Sequence, residues 1–235
     1  MKPDIICGVP AVSALFARRP GDAIRLFHVA ELRPVVGPWC ATLAAARKPY
    51  RMVAADELTK VAGTPHHGGI AVVAKPRDPA LFDLARPPRA NLLLVLDGIG
   101  NPHNLGAIAR SAAFFGVQAL LIGEGGALPS DAAYRTAEGG LDYLDVYTTP
   151  ALPAVLSGLH PRFLTVAATL NPNALALTDL PRDQPIALVL GNEEHGVSPP
   201  VLSACRRQVR VAGHGPVQSL NVAQAAAVLL HALAG

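Results

Sequence analysis

Leu92-Leu93-Leu94-Val95-Leu96-Asp97-Gly98-Ile99-Gly100-Asn101-Pro102-His103-Asn104-Leu105-Gly106 is the stretch that decides how this chain folds. Five apolar residues in succession end on an aspartate, a Gly/Pro turn follows, and small and apolar residues then continue at helical spacing as far as Phe115. A strand with one solvated face alternates apolar and polar side chains. An unbroken run requires burial on both faces, as in a parallel sheet with helices above and below it. The turn then delivers the chain to a helix, with Asn104 where an N-cap is expected. Comparable runs recur at Ala119–Ile122, Phe163–Ala167, Ile186–Leu190 and Gln208–Val211, and helical patterns at Leu105–Phe115, Asp131–Ala137, Ala151–Leu156 and Leu220–Leu233 separate or follow them. That alternation is the pattern of an α/β fold built on a mostly parallel sheet, over residues 91–235.

Upstream, residues 1–75 read as a smaller α/β unit. Helices are predicted at Val9–Arg18, Val36–Lys48 and Asp56–Ala62, and strands at Ile24–Val29, near Arg51–Val53 and at the fully apolar Ile70–Ala74. Between the units lie Lys75-Pro76-Arg77-Asp78-Pro79 and Arg86-Pro87-Pro88-Arg89. Proline withholds the backbone donor that a helix or a central strand requires, so residues 76–90 read as a linker.

The composition, 51% hydrophobic and 16% charged, supports a buried core and excludes wholesale disorder. Cys7, Cys40 and Cys205 are odd in number and widely spaced, which argues against a disulfide framework or a structural zinc site and fits a reducing cytoplasm. The apolar stretch from Val217 to the C-terminus is interrupted by Gln218, Asn221, Gln224 and His231, and reads as a buried helix rather than a membrane span. Charge is divided unevenly. Residues 1–90 carry 13 Lys and Arg against 7 Asp and Glu, whereas residues 91–235 carry 7 against 10. A basic first unit beside an acidic second one points to a polyanion meeting the first, although a merely solvated surface also fits.

Ligands of open parallel sheets sit at the carboxyl ends of the strands. Three loops there carry polar side chains. In the first, Gly98-Ile99-Gly100 is not a dinucleotide fingerprint, because His103 stands where the third glycine belongs. The helix behind it holds one charge, Arg110, which either snorkels to the surface or serves a site. The second, Leu190-Gly191-Asn192-Glu193-Glu194-His195-Gly196, is either a polar turn or a site. Its adjacent carboxylates cannot by themselves flank a glycosidic bond. The third, Val211-Ala212-Gly213-His214-Gly215-Pro216-Val217-Gln218-Ser219-Leu220-Asn221, runs into an apolar helix, where Ser219 or Asn221 also suits a simple cap.

In this order and spacing the three loops resemble the motifs of the SpoU/TrmH family of the SPOUT methyltransferase superfamily. The matching frames are Asn101-Pro102-His103-Asn104-Leu105-Gly106 with Arg110-Ser111, Leu190 to Gly196, and Gly215 with Ser219-Leu220-Asn221-Val222. The one departure noted is Ala212, where the family usually has proline. Gly8, Ala11-Val12, Ala14-Leu15 and His66-His67-Gly68-Gly69-Ile70 look like the family's RNA-binding domain, which is similar to ribosomal protein L30e. Together with Arg135-Thr136-Ala137-Glu138-Gly139-Gly140, they look most like the YfiF-type subgroup. His66 and His67 have no further ligands at suitable spacing, so no metal is expected.

The resemblance implies a deep trefoil knot formed by the second and third motifs, and S-adenosylmethionine held by Gly191, Val211 and Leu220 with Ala168 and Asn221 nearby. It implies methyl transfer to a ribose 2′-hydroxyl of tRNA or rRNA. Arg110 activates the hydroxyl, supported by Asn104, Glu193, Ser219 and Asn221. An arginine, protonated throughout the working pH range, is better suited to steady a developing alkoxide than to accept a proton; an RNA phosphate is one candidate for the acceptor, which the sequence does not identify. A cytoplasmic homodimer is implied, with Arg18, Arg19, Arg25, Arg47, Lys48 and Arg51 meeting RNA phosphates. The competing reading is a silent RNA-binding or ribosome-assembly factor on the same scaffold. Transfer to a base nitrogen and NAD-dependent oxidoreduction fit the motifs less well.

Overall fold

A computed structural model of the chain describes residues 2–234. Met1 and Gly235, the outermost residues of the two expected segments, lie outside the described residues. The first unit runs β1 (Asp4–Cys7), α1 (Val9–Arg18), β2 (Ala23–His28), α2 (Arg33–Ala45), β3 (Tyr50–Met52), α3 (Ala55–Ala62) and β4 (Ile70–Ala74). Its sheet has the order β1-β4-β2-β3, with β4 antiparallel to both neighbours and β2 parallel to β3. The apolar β4 is therefore interior, as its composition requires. Strand β1 was not apparent in the sequence. Four residues carry no period of their own, and this strand is defined by its pairing with β4.

The second unit holds β5 (Ala80–Leu81), β6 (Leu92–Asp97), α4 (Pro102–Phe114), β7 (Ala119–Gly123), α5 (Asp131–Ala137), α6 (Gly140–Tyr143), β8 (Asp145–Thr149), α7 (Leu152–Gly158), β9 (Leu164–Ala168), β10 (Leu175–Ala176), β11 (Ile186–Gly191), α8 (Pro199–Ala204), β12 (Arg207–Arg210) and α9 (Val222–Leu233). These strands form one all-parallel sheet in the order β10-β12-β9-β11-β6-β7-β8-β5. Leu94, Leu96, Leu188 and Leu190 face one core with α4, α5, α6 and α9. Leu93, Val95, Ala187 and Val189 face a second core with α7 and α8. Burial on both faces accounts for the unbroken apolar runs. The expected linker is not wholly a linker, because Ala80 and Leu81 pair with Tyr147 and Thr148 at the sheet's outer edge. That position tolerates the flanking proline.

The units share a core. Ala11, Val12 and Leu15 of α1 belong to the same buried cluster as Tyr134, Ala137 and Leu141. Polar contacts fix the junction. The Ile5 amide donates to Asp131 Oδ1 at 2.8 Å, and the Arg77 guanidinium donates to the carbonyls of Leu141 and Leu144 at 2.8 and 2.7 Å. The nearby Arg19 Nε donates to Asp142 Oδ1 at 2.7 Å.

Candidate active site

Strands β6 and β11 are central neighbours in exact register from Leu92↔Ile186 to Asp97↔Gly191, so the loops that leave their carboxyl ends start side by side. Gly98 turns out of β6 with φ +67°. The N-cap of α4 is Asn101, not Asn104: its Oδ1 accepts from the His103 amide at 2.9 Å, and Pro102 occupies the first helical turn, where a missing donor costs nothing. This correction places Asn104 one turn deeper, with its side chain free to work. Its Nδ2 donates to Glu193 Oε1, and its Oδ1 accepts from Asn221 Nδ2 at 3.3 Å. Asn221 in turn caps α9 by accepting the Ala223 amide at 2.9 Å. Three residues from the three motifs, one in the first turn of α4, one in the turn after β11 and one at the cap of α9, thus form one hydrogen-bonded chain.

The turn that presents Glu193 is held by Asn192. Its Nδ2 donates to the Gly98 carbonyl at 2.8 Å, and its Oδ1 accepts from the amides of Glu194 and His195 at 2.9 and 3.2 Å. Asp97 reinforces the crossing by accepting the Ser198 amide at 2.7 Å. Asn192 and Asp97 were missed as functional positions. Both lie inside quoted motifs, but nothing in the residue order says that they bind another loop. Gly191 is required by close approach, since a Cβ there would collide with the backbone of Gly196 and Val197.

Arg110 lies six residues beyond Asn104 on α4 and outside that hydrogen-bonded chain. Its Nη1 meets Glu138 Oε1 at 2.8 Å, and both side chains remain about half exposed. Ser219 is exposed in the irregular segment between β12 and α9, and makes no side-chain hydrogen bond among the described residues. Leu220, in the same segment, is 48% exposed.

The expected cofactor positions lie along one rim. Ala168 ends β9, Gly191 ends β11, and Val211 directly follows β12, three strands that are adjacent in the order β12-β9-β11. Arg210, the last residue of β12, has a buried Nε without a hydrogen-bond partner among the described residues, a donor at this rim. Main-chain groups at strand ends, a glycine where the backbone crosses closely and a spare cationic donor fit a ligand that carries both an adenosine and a carboxylate.

The expected RNA-facing cations divide. Arg18, Arg25 and Arg47 are exposed, with Arg25 packed over the Phe27 ring at 5.8 Å. Arg51 pairs with Glu57 at 3.6 Å, and Lys48 donates to the Gly21 carbonyl at 2.7 Å. Arg19 is a correction. Its side chain is 11% exposed and is engaged by Asp142, Asp22 and Tyr134, so it is not available to a phosphate. His67 is buried, accepts the Gly69 amide on Nδ1 and therefore presents a protonated Nε2 to Thr59 Oγ1 at 3.1 Å. It fixes the turn into β4.

Fold and site together define a two-unit α/β protein whose ligand edge lies at the carboxyl ends of a parallel sheet. The sequence profile described as the SpoU rRNA Methylase family matches residues 91–231, and the one described as RNA 2′-O ribose methyltransferase substrate binding matches residues 5–80. The uncharacterized tRNA/rRNA methyltransferase YfiF of Escherichia coli O157:H7 is 33% identical over 227 residues, covering 96% of this chain and 66% of that protein. The chain thus spans just under two thirds of that relative's length. The 23S rRNA (guanosine-2′-O-)-methyltransferase RlmB of Acinetobacter baylyi is 28% identical over 245 residues, covering 98% and 96%. The crystal structure of the SpoU methyltransferase AviRb from Streptomyces viridochromogenes in complex with AdoMet superimposes with a TM-score of 0.74 at 26% identity, covering 99% of this chain and 89% of that one. The chain belongs to the SpoU rRNA methylase family.

Proposed function

We propose that the protein transfers a methyl group from S-adenosylmethionine to a ribose 2′-hydroxyl of tRNA or rRNA. The observation that carries this reading is the convergence of Asn104, Glu193 and Asn221 from the three motifs into one hydrogen-bonded chain. It lies at the strand ends where Ala168, Gly191 and Val211 offer main-chain groups to the cofactor, with Leu220 beside Asn221. The family match and the RlmB and AviRb relatives support the same chemistry.

S-adenosylmethionine, when bound, supplies an electrophilic methyl on a cationic sulfur. The protein's task is to place the 2′-oxygen in line and to steady the charge that grows on it. Arg110 fills the second part as a permanent cation aimed at the developing alkoxide, while the hydroxyl proton passes to an RNA phosphate. The Glu193–Asn104–Asn221 chain supplies a fixed polar wall for orienting the ribose, and Ser219, in the neighbouring loop, adds a hydroxyl to it. Arg18, Arg25 and Arg47 are the cations of the first unit that meet the RNA backbone, with Lys48 and Arg51 beside them.

The family reading also carries a homodimer, a cytoplasmic setting and a threaded chain. Exposed Phe114 of α4 and Val228 of α9, on helices that pack together, support a subunit contact. The three free cysteines suit a reducing compartment. Among the described residues no helix is long and apolar enough to cross a membrane. The placing of β12 beyond β9, away from β11, supports the knot.

The deciding experiment supplies tritiated S-adenosylmethionine and bulk tRNA or rRNA from cells lacking this gene. Label in an alkali-resistant dinucleotide is the expected result. Label on a base overturns the ribose assignment, and RNA binding without transfer establishes the silent RNA-binding reading instead.

A further inference from the structure

The Arg135-Thr136-Ala137-Glu138-Gly139-Gly140 stretch contains a residue whose side chain and backbone make opposite demands. Glu138 follows α5 at its C-cap, with its amide bonded to the Tyr134 carbonyl at 3.2 Å and φ at +45°. That left-handed position is one where the backbone favours glycine. Gly139 and Gly140 follow and leave the segment no room to shift. A Cβ on Gly139 would lie 2.9 Å from the Pro10 carbonyl oxygen of α1, and one on Gly140 would lie 2.8 Å from Arg110 Cα. The carboxylate thus springs from a backbone wedged between the first unit and α4, and it meets Arg110 Nη1 at 2.8 Å. Strain held by a packed surrounding is a sign that the side chain is needed there.

We propose that Glu138 is a positioning residue for Arg110. This inference rests on the role assigned to Arg110 above. The carboxylate takes one edge of the guanidinium and fixes its direction, and the remaining N–H donors stay available to the ribose oxygen and phosphate. Because Gly139 rests on α1, the placement of this carboxylate is tied to the unit that meets RNA.

Glu138→Gly provides the test, because it removes the carboxylate while relieving the left-handed backbone. The variant is expected to melt no lower than the parent protein, to keep its KM for S-adenosylmethionine, and to lose about 10- to 100-fold in kcat on bulk RNA, the scale of a misplaced reacting group. Glu138→Asp, which tolerates the same backbone and keeps the charge, should recover part of that loss. A glycine variant with undiminished kcat overturns the proposal. If the parent protein transfers no methyl at all, it is the function assigned above that fails, and Glu138 is judged by NMR of the Arg110 guanidinium, identified by its absence in Arg110→Lys. Slow rotation about its Nε–Cζ bond that disappears in Glu138→Gly supports the pairing, and identical spectra overturn it.

Discussion

Asp142, its side chain fully buried, holds the Arg19 guanidinium at 2.7 Å and so joins α6 of the second unit to the end of α1 in the first. Removing one member of a buried pair strands the other charge, which typically costs about 3–5 kcal/mol. Arg19→Ala is therefore expected to lower the free energy of unfolding by that order in denaturant titrations, and the double variant Arg19→Met/Asp142→Leu to recover most of it. Arg18→Ala, one residue away and exposed, should leave stability unchanged while weakening RNA binding and its salt dependence. An Arg19→Ala protein as stable as the parent would mean that the junction does not rely on this pair.

Asp4 and Asp142 both titrate above the ordinary 3.8. Burial is the leading cause in each, opposed at Asp4 chiefly by the hydrogen bond from the Arg77 amide and at Asp142 by the attraction of Arg19. Just above pH 3.8 the native protein keeps protons on these groups that the unfolded chain has already released. Stability from this source is thus fully present below 3.8 and is lost as the pH rises through the native pKa. The unfolding free energy of the parent, taken relative to that of the non-titrating Asp4→Asn, should fall as the pH is raised from about 4. A parent that gains stability relative to the variant over that range would reverse the assigned direction.

Burial pushes the Cys7 thiol up to about 11 and the Cys205 thiol up to about 12. At pH 8 about one Cys7 in a thousand is then thiolate, and fewer of Cys205, and the thiolate is the reactive form. Iodoacetamide at pH 8 should label Cys40, the least buried of the three, well ahead of the other two, with Cys7 and Cys205 reacting only in denaturant. Early labelling of Cys205, read by peptide mass, would contradict the packing at the start of β12.

The sequence disclosed what repetition and composition encode. The central strands β6, β11 and β9 were legible because burial on both faces leaves an unbroken apolar run. Strand β8 was not, since its Asp145-Val146-Tyr147-Thr148-Thr149 mixes buried and exposed positions near the sheet edge. The three motif loops were legible as motifs, yet the internal duties of their residues were not. Asn101 and Asn104 are equally good caps on paper, and Pro102 settles which one caps the helix. Arg18 and Arg19 are indistinguishable as letters, and only the placement of Asp142 separates a surface cation from a buried one. The Arg110–Glu138 contact spans 28 positions and two helices, a distance over which no local rule speaks.

Asn221 performs two tasks with the two ends of one amide. Oδ1 caps α9 through the Ala223 amide at 2.9 Å, and Nδ2 reaches Asn104 at 3.3 Å. Serine retains a capping oxygen but is too short to reach Asn104, so Asn221→Ser separates the two. Its melting temperature should stay close to that of the parent, because serine and asparagine cap about equally well, whereas Asn221→Ala should lose about 0.5–2 kcal/mol of stability. Methyl transfer should fall in both variants, with Asn221→Ser losing activity without losing the helix. A serine variant that is stable and fully active would show that the Asn104–Asn221 link is dispensable. The polar wall would then reduce to the Asn104–Glu193 contact.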